Sequence, residues 1–144
     1  MSNKKILENI SILVIDDSRL IRDMLKAILK SFGVREVFEA GDGFAGFQVL
    51  SQHRVDIVIC DVFMAPMHGY QFLEMVRAGQ TPPGVTGQIP PDTPVIMVTG
   101  KTMKLVADNP DANWDAILDK PIDQNILLEV LLCLVKEKGL GQPR

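Results

Sequence analysis

Short apolar runs, each stopped by a polar side chain, recur along the chain and alternate with segments of helical spacing. The first, SILVI at 11–15, stops at Asp16 and Asp17. A continuous aliphatic run of this length reads as a strand buried on both faces, with polar residues beginning where it leaves the sheet. Ser18 follows as a helix cap. Leu20, Ile21, Met24, Leu25, Ile28, Leu29 and Phe32 then recur at helical intervals up to Gly33, a C-terminal stop. The same alternation predicts strands at 36–39, 55–60, 94–98 and 116–118, and helices at 43–52, about 69–77, from 102, and after Asp123. Strands alternating with helices in this way predict an α/β, doubly wound, five-stranded parallel sheet with helices on both faces.

Three stretches depart from the simple alternation. In VADNPDANW at 106–114, Pro110 disfavours a helical Asn109 and cannot continue the hydrogen-bond ladder, so the helix from 102 is expected to end near Asp108. AGQTPPGVTGQIPPDT at 78–93 is longer and richer in Pro and Gly than a helix-to-strand connection needs. Because it leads into the amino end of a strand, it is expected at the end of the sheet away from Asp16 and Asp17. The final helix carries Leu127, Val130, Leu131 and Leu134 to cover the sheet. Leu128, Leu132 and Val135 remain for a second apolar face, expected to pack on another copy, as a homodimer, or on a partner.

Composition narrows the class. With 144 residues, 47% of them hydrophobic, the chain supplies one sizeable core. Residues 1–10 read as an N-terminal extension, 11–138 as the domain and 139–144 as a tail. A net charge of -3, with scattered Lys and Arg, excludes a broad nucleic-acid footprint. No apolar run approaches the roughly 20 residues that span a bilayer, and 1–10 lacks a signal-peptide core. No membrane insertion and a cytoplasmic location are therefore expected. Cys60 and Cys133, each among aliphatic residues, read as buried structural thiols. His53 and His68 give no zinc spacing and no Cys-His nucleophile pair.

In sheets of this class, ligands bind beyond the carboxyl ends of the strands. That rule singles out Asp16, Asp17, Asp61, Thr99 and Lys120, which all fall at one end. Three carboxylates brought together repel, and one would be driven toward protonation without a compensating cation. A hard divalent ion such as Mg2+ resolves the conflict and can neutralise charge on a transferring phosphoryl group. A carboxylate held there can act as the phosphate-accepting nucleophile. Lys120 adds a compact positive charge for phosphoryl oxygens, and the Thr99 hydroxyl can donate to one of them. Taken singly, an Asp at a strand end is more often a turn former or cap; the five in this order favour the phosphoryl site.

The runs ILVIDDS at 12–18, VDIVICDVFMAPMHG at 55–69, VIMVTG at 95–100 and LDKP at 118–121 resemble the receiver domains of two-component response regulators, over roughly 12–138. The resemblance implies a flavodoxin-like fold with strand order 2-1-3-4-5. It implies that Asp61 is the phosphoacceptor, Asp17 a direct magnesium ligand, and Asp16 an acid acting largely through metal-bound water. Phe63 matches the position whose backbone carbonyl meets the metal, Thr99 the switch hydroxyl and Lys120 the lysine that contacts the phosphoryl group. The Lys120–Pro121 bond is cis by the same resemblance.

Where the family usually carries Tyr or Phe, the matching switch position is Ile117, which has no ring to swing, so signalling would rest more on backbone and Thr99 movement. The usual proline four residues after the acceptor is displaced, with Ala65 there and Pro66 next. Phe63 and Lys101 flank the acceptor and are expected to shield it from water. With few residues after the last helix, the expectation is a stand-alone receiver, phosphorylated by a histidine kinase or phosphotransfer protein. It would signal, or relay phosphate, through contacts with an unknown downstream target. Two alternatives are a phosphorylation-independent binding module of the same fold and an aspartyl-phosphate enzyme. The enzyme commonly needs a second acid soon after the nucleophile, and Val62 and Phe63 supply none.

Overall fold

The computed structural model describes residues 3–142. Its elements run α1 (Asn3–Leu7), β1 (Ser11–Ile15), α2 (Arg19–Ser31), β2 (Glu36–Ala40), α3 (Gly43–Gln52) and β3 (Ile57–Asp61). They continue with α4 (Gly69–Arg77), β4 (Val95–Thr99), α5 (Thr102–Asp108), β5 (Ala116–Asp119) and α6 (Gln124–Lys138). The strands form one parallel sheet in the order β2-β1-β3-β4-β5. Successive side chains of a strand point to opposite faces, and the core divides accordingly. Leu13, Ile15, Val58, Cys60, Val95 and Met97 pack with Phe47 of α3 and Phe72 of α4, while Ile12, Val14, Ile57, Ile59, Ile96 and Val98 pack with Leu29 of α2 and Leu131 of α6.

Local chemistry accounts for the element ends. Ser18 Oγ accepts from the Ile21 N–H at the start of α2, and Asp123 caps α6 in the same manner. The short α5 stops at Asp108, two residues before Pro110, as the sequence predicts, and Leu105 is its only buried side chain. The 78–93 segment lies at the amino end of the sheet and is pinned there by Arg77. That guanidinium donates to the carbonyls of Pro91 (2.9 Å), Thr93 (2.7 Å) and Asn113 (2.8 Å) and pairs with Asp115 at 2.7 Å.

The second apolar face of α6 departs from expectation. Residues before β1 form α1, which packs on α6, and Leu7 and Ile10 are fully buried in the same cluster as Leu127 and Leu131. Leu128 and Leu132 are partly buried against that cluster and Val135 is 8% exposed. A helix sandwiched between a sheet and another helix needs two apolar faces, so the homodimer expectation loses the bare stripe it rested on. Val130, assigned to the sheet-facing stripe, is only partly buried. Cys60 is buried as expected, but Cys133 is exposed on the outer side of α6. Past α6 the chain returns to its start: a Cβ placed on Gly141 would lie 3.2 Å from Ile10 Cδ1 and 3.7 Å from the Ile6 carbonyl. Among the described residues, no helix is long and apolar enough to cross a membrane.

Candidate functional site

Four strands deliver side chains to the carboxyl end of the sheet. β1 runs directly into Asp16 and Asp17, β3 ends on Asp61, β4 ends on Thr99, and Lys120 follows β5. β3 and β4 each extend one residue further than the apolar pattern suggests. Asp61 pairs in register with Val98 and Thr99 with Asp119, so the ladder itself fixes the backbone of both residues.

The sequence-predicted acids do converge. Asp16, Asp17 and Asp61 each offer a carboxylate oxygen within 4.8 Å of the others; Asp16 and Asp61 are buried and Asp17 is exposed. Lys120 Nζ bridges them, 3.3 Å from Asp16 Oδ2 and 3.2 Å from Asp61 Oδ1. Burial and the neighbouring Asp16 push the Asp61 carboxyl above the usual carboxylate range, and Lys120 offsets only part of this. Burial would lower the Lys120 ammonium, but attraction to Asp61 and Asp16 outweighs it and holds the group further into its charged form. The residual repulsion among three oxygen-donor groups, open to solvent at Asp17, suits a hard divalent cation that keeps some of its waters. The donor set therefore fits magnesium.

Asp16 is clamped on every side. Its N–H donates to the Ala40 carbonyl (3.1 Å), its Oδ1 accepts from the Ser18 N–H (2.8 Å), and its carbonyl accepts from Arg22 Nη1 (2.7 Å). Arg22 Nε reaches Glu39 at 3.4 Å, and Lys26 reaches the same carboxylate at 3.3 Å. The sequence pattern singled out neither Arg22 nor Glu39, since each reads as an ordinary charge beside an apolar stripe.

Thr99 is buried, and its Oγ1 accepts from the Lys101 N–H at 3.0 Å. One residue further, the Thr102 hydroxyl donates to the Asp119 carboxylate, tying the start of α5 to the residue before Lys120. Phe63 is 50% exposed, with Lys101 Nζ 5.5 Å from its ring centroid and the His68 ring edge-on at 5.5 Å. Ile117 is partly buried against the α3/α4 side of the core. Lys120–Pro121 is cis, as the resemblance implies, and so is Ala65–Pro66 in the displaced-proline loop. That loop closes on His68, whose Nδ1 accepts from the Tyr70 N–H (3.1 Å), and the Gly69 N–H donates to the Val62 carbonyl (2.8 Å).

Known proteins resemble this chain in sequence and fold. The family model described as response regulator receiver domain matches residues 12–132. The chemotaxis protein CheY4 of Vibrio cholerae superposes with a TM-score of 0.72 at 29% identity, over 87% of this chain and 98% of that one. The receiver domain of sensor histidine kinase PA1611 from Pseudomonas aeruginosa PAO1 superposes with a TM-score of 0.74 at 22% identity, over 88% and 97%; that protein holds a magnesium ion coordinated in its active-site cleft. Sensor histidine kinase RcsC of Escherichia coli is 30% identical over 125 residues, 86% of this chain and 12% of RcsC. The chain spans less than a third of the curated relatives it matches. With the match running from β1 into α6, on a sheet of the family's strand order, the chain belongs to the response regulator receiver domains.

Proposed function

We propose that this chain is a phosphorylation switch: Asp61 accepts a phosphoryl group from a histidine kinase or histidine phosphotransfer protein, and the altered surface signals through contacts with a downstream protein. The observation that carries this reading is Lys120, held between Asp61 and Asp16 beside Asp17. Asp16, Asp17, Asp61 and the backbone carbonyl of Phe63 are the residues that would hold Mg2+. When bound, the ion supplies charge neutralisation for the phosphoryl oxygens and the acceptor.

In the transfer, an Asp61 carboxylate oxygen forms the new bond to phosphorus as the bond from phosphorus to the donor imidazole nitrogen breaks. Lys120 pairs with a phosphoryl oxygen, and Thr99 donates its hydroxyl proton to another. Turning the Thr99 side chain that way releases the Lys101 N–H it now satisfies. The change thus reaches the start of α5, a helix with one buried side chain and no side-chain cap. Beside Lys120 lies an apolar groove lined by Ile21, Met24, Leu25, Ile28, Pro121 and Ile122, with Met24 51% exposed. As an apolar concavity adjoining the acceptor, it suits a helix of the donor protein.

Incubation with magnesium and acetyl phosphate is expected to add one phosphoryl group per chain, read as intact-protein mass. A folded protein that stays unmodified, and binds no beryllofluoride, would instead be a phosphorylation-independent binding module. A second result concerns the lifetime of the product. Phe63, two residues after Asp61, and Lys101, two after Thr99, would together hinder the approach of water, so Phe63→Asn is expected to speed phosphate loss by about tenfold, about 1.4 kcal/mol of barrier. Equal lifetimes in the two proteins would show that the ring shields nothing.

A further inference from the structure

The Asp16 carbonyl belongs to the peptide plane that joins Asp16 to Asp17. Peptide groups are rigid and planar, so whatever holds that oxygen sets the plane, and with it the directions in which the two acids leave the backbone. Arg22 holds it, at 2.7 Å, by a guanidinium nitrogen from α2. The guanidinium is itself held: its Nε meets Glu39 at 3.4 Å, Glu39 sits in β2 in register with Val14 of β1, and Lys26 steadies the same carboxylate. The Arg22 side chain is 19% exposed, so solvent competes weakly for these bonds.

We propose that Arg22, aligned by Glu39, is a positioning residue for the magnesium ligands, acting through the Asp16–Asp17 peptide rather than on the metal. The proposal rests on the metal-site reading above. Glu39 has a second part in it. A guanidinium left loose beside three carboxylates would turn into them and act as their counter-cation, where magnesium is meant to bind. Bound to Glu39, it keeps its planar fork on the backbone. An Arg suits this task because its donors are spread across a fixed plane and reach two acceptors at once, whereas a Lys ammonium is a single point.

The sign of the effect separates positioning from simple electrostatics. Arg22 is a positive charge next to a cation site, so removing it should tighten magnesium binding if charge alone matters. If the guanidinium sets the peptide plane, removing it should weaken binding, as loss of an orienting partner behind a metal ligand does. Calorimetric titration with magnesium alone, on wild type, Arg22→Met and Arg22→Lys, reads this directly. Arg22→Met keeps most of the apolar stem and is expected to bind about tenfold more weakly. Arg22→Lys retains the charge and guards against a folding defect in the Met variant; it is also expected to bind more weakly than wild type. Amide spectra of the metal-free proteins should change only around 14–22 and 37–41. Binding in Arg22→Met as tight as or tighter than in wild type would overturn the proposal. Wild-type protein that binds no magnesium at all would overturn the metal-site reading, and this inference with it.

Discussion

Asp61→Asn is expected to take up no phosphoryl group from acetyl phosphate and, with magnesium absent, to melt about 3 °C above the wild type. The two results have one origin. Burial and the charge of Asp16 raise the Asp61 carboxyl, with Lys120 compensating in part. A carboxyl raised in the folded state binds more protons there than in the unfolded chain. Its ionisation therefore costs stability as the pH rises through the folded value and costs nothing below the unfolded one. The Asn amide removes that cost, on the order of 1 kcal/mol after solvent screening at the open mouth of the site. It also leaves Lys120 paired with Asp16. The advantage of the variant should therefore shrink to nothing in acid, where Asp61 is protonated in both states. Magnesium should invert the order: at a hundredfold excess over its dissociation constant, a ligand stabilises the folded state by about 2.7 kcal/mol, and the variant lacks one of the three carboxylates. Differential scanning fluorimetry across pH, with and without magnesium, checks all of this. A variant that melts below wild type without the ion would mean that Asp61 is a net stabilising partner of Lys120.

Gly69→Ala is expected to lower stability by about 3 kcal/mol, near the upper end of overpacking changes, and to impair phosphoryl uptake in whatever fraction still folds. α4 starts hard against the end of β3. A Cβ on Gly69 would collide with the Asp61 carbonyl oxygen and lie 2.9 Å from Val62 Cα and 3.1 Å from the Asp61 carbonyl carbon. Those are backbone atoms of Asp61, where β3 ends, and of the residue after it, so nothing can turn aside without moving Asp61 itself. Gly43→Ala forms the instructive contrast. Its Cβ would meet the sulfur, Cγ and Cβ of Met67, side-chain atoms and no backbone, and α3 gains in helix propensity, so a smaller loss is expected. Gly100→Ala meets nothing within 4 Å and serves as a neutral reference. Urea denaturation of the three variants ranks them, and a Gly69→Ala midpoint equal to that of Gly100→Ala would show that α4 slides freely.

Much of this was legible from apolar runs and the residues that stop them. A buried parallel strand needs little beyond consecutive aliphatic side chains, and the acids stand out because ionised groups are excluded from such runs. The strand ends were harder: Asp61 and Thr99 sit inside the ladder because hydrogen-bond pairing is indifferent to side-chain polarity at the rim. α1 was missed because five residues give too few turns for a periodicity, and its stability comes from packing on α6 rather than from propensity. The same contact explains the misread face of α6. Arg22 was invisible for a different reason. Its partner is a carbonyl oxygen, which every residue has, so no residue type in the sequence marks the pairing.

The return of the chain to its own beginning has a mechanical consequence. The Ile6–Ile10 segment and Gly141 meet at the pole where the strands start, while Asp61 and Lys120 occupy the pole where they finish. A module joined beside residue 6 or residue 141 would hang from the far side like a handle, leaving the pole of Asp61 and Lys120 clear. A short bridge between the Ile6 and Gly141 regions, with a new opening cut in the 83–87 loop, would give a circular permutant in which the pole of Asp61 and Lys120 is untouched by either change.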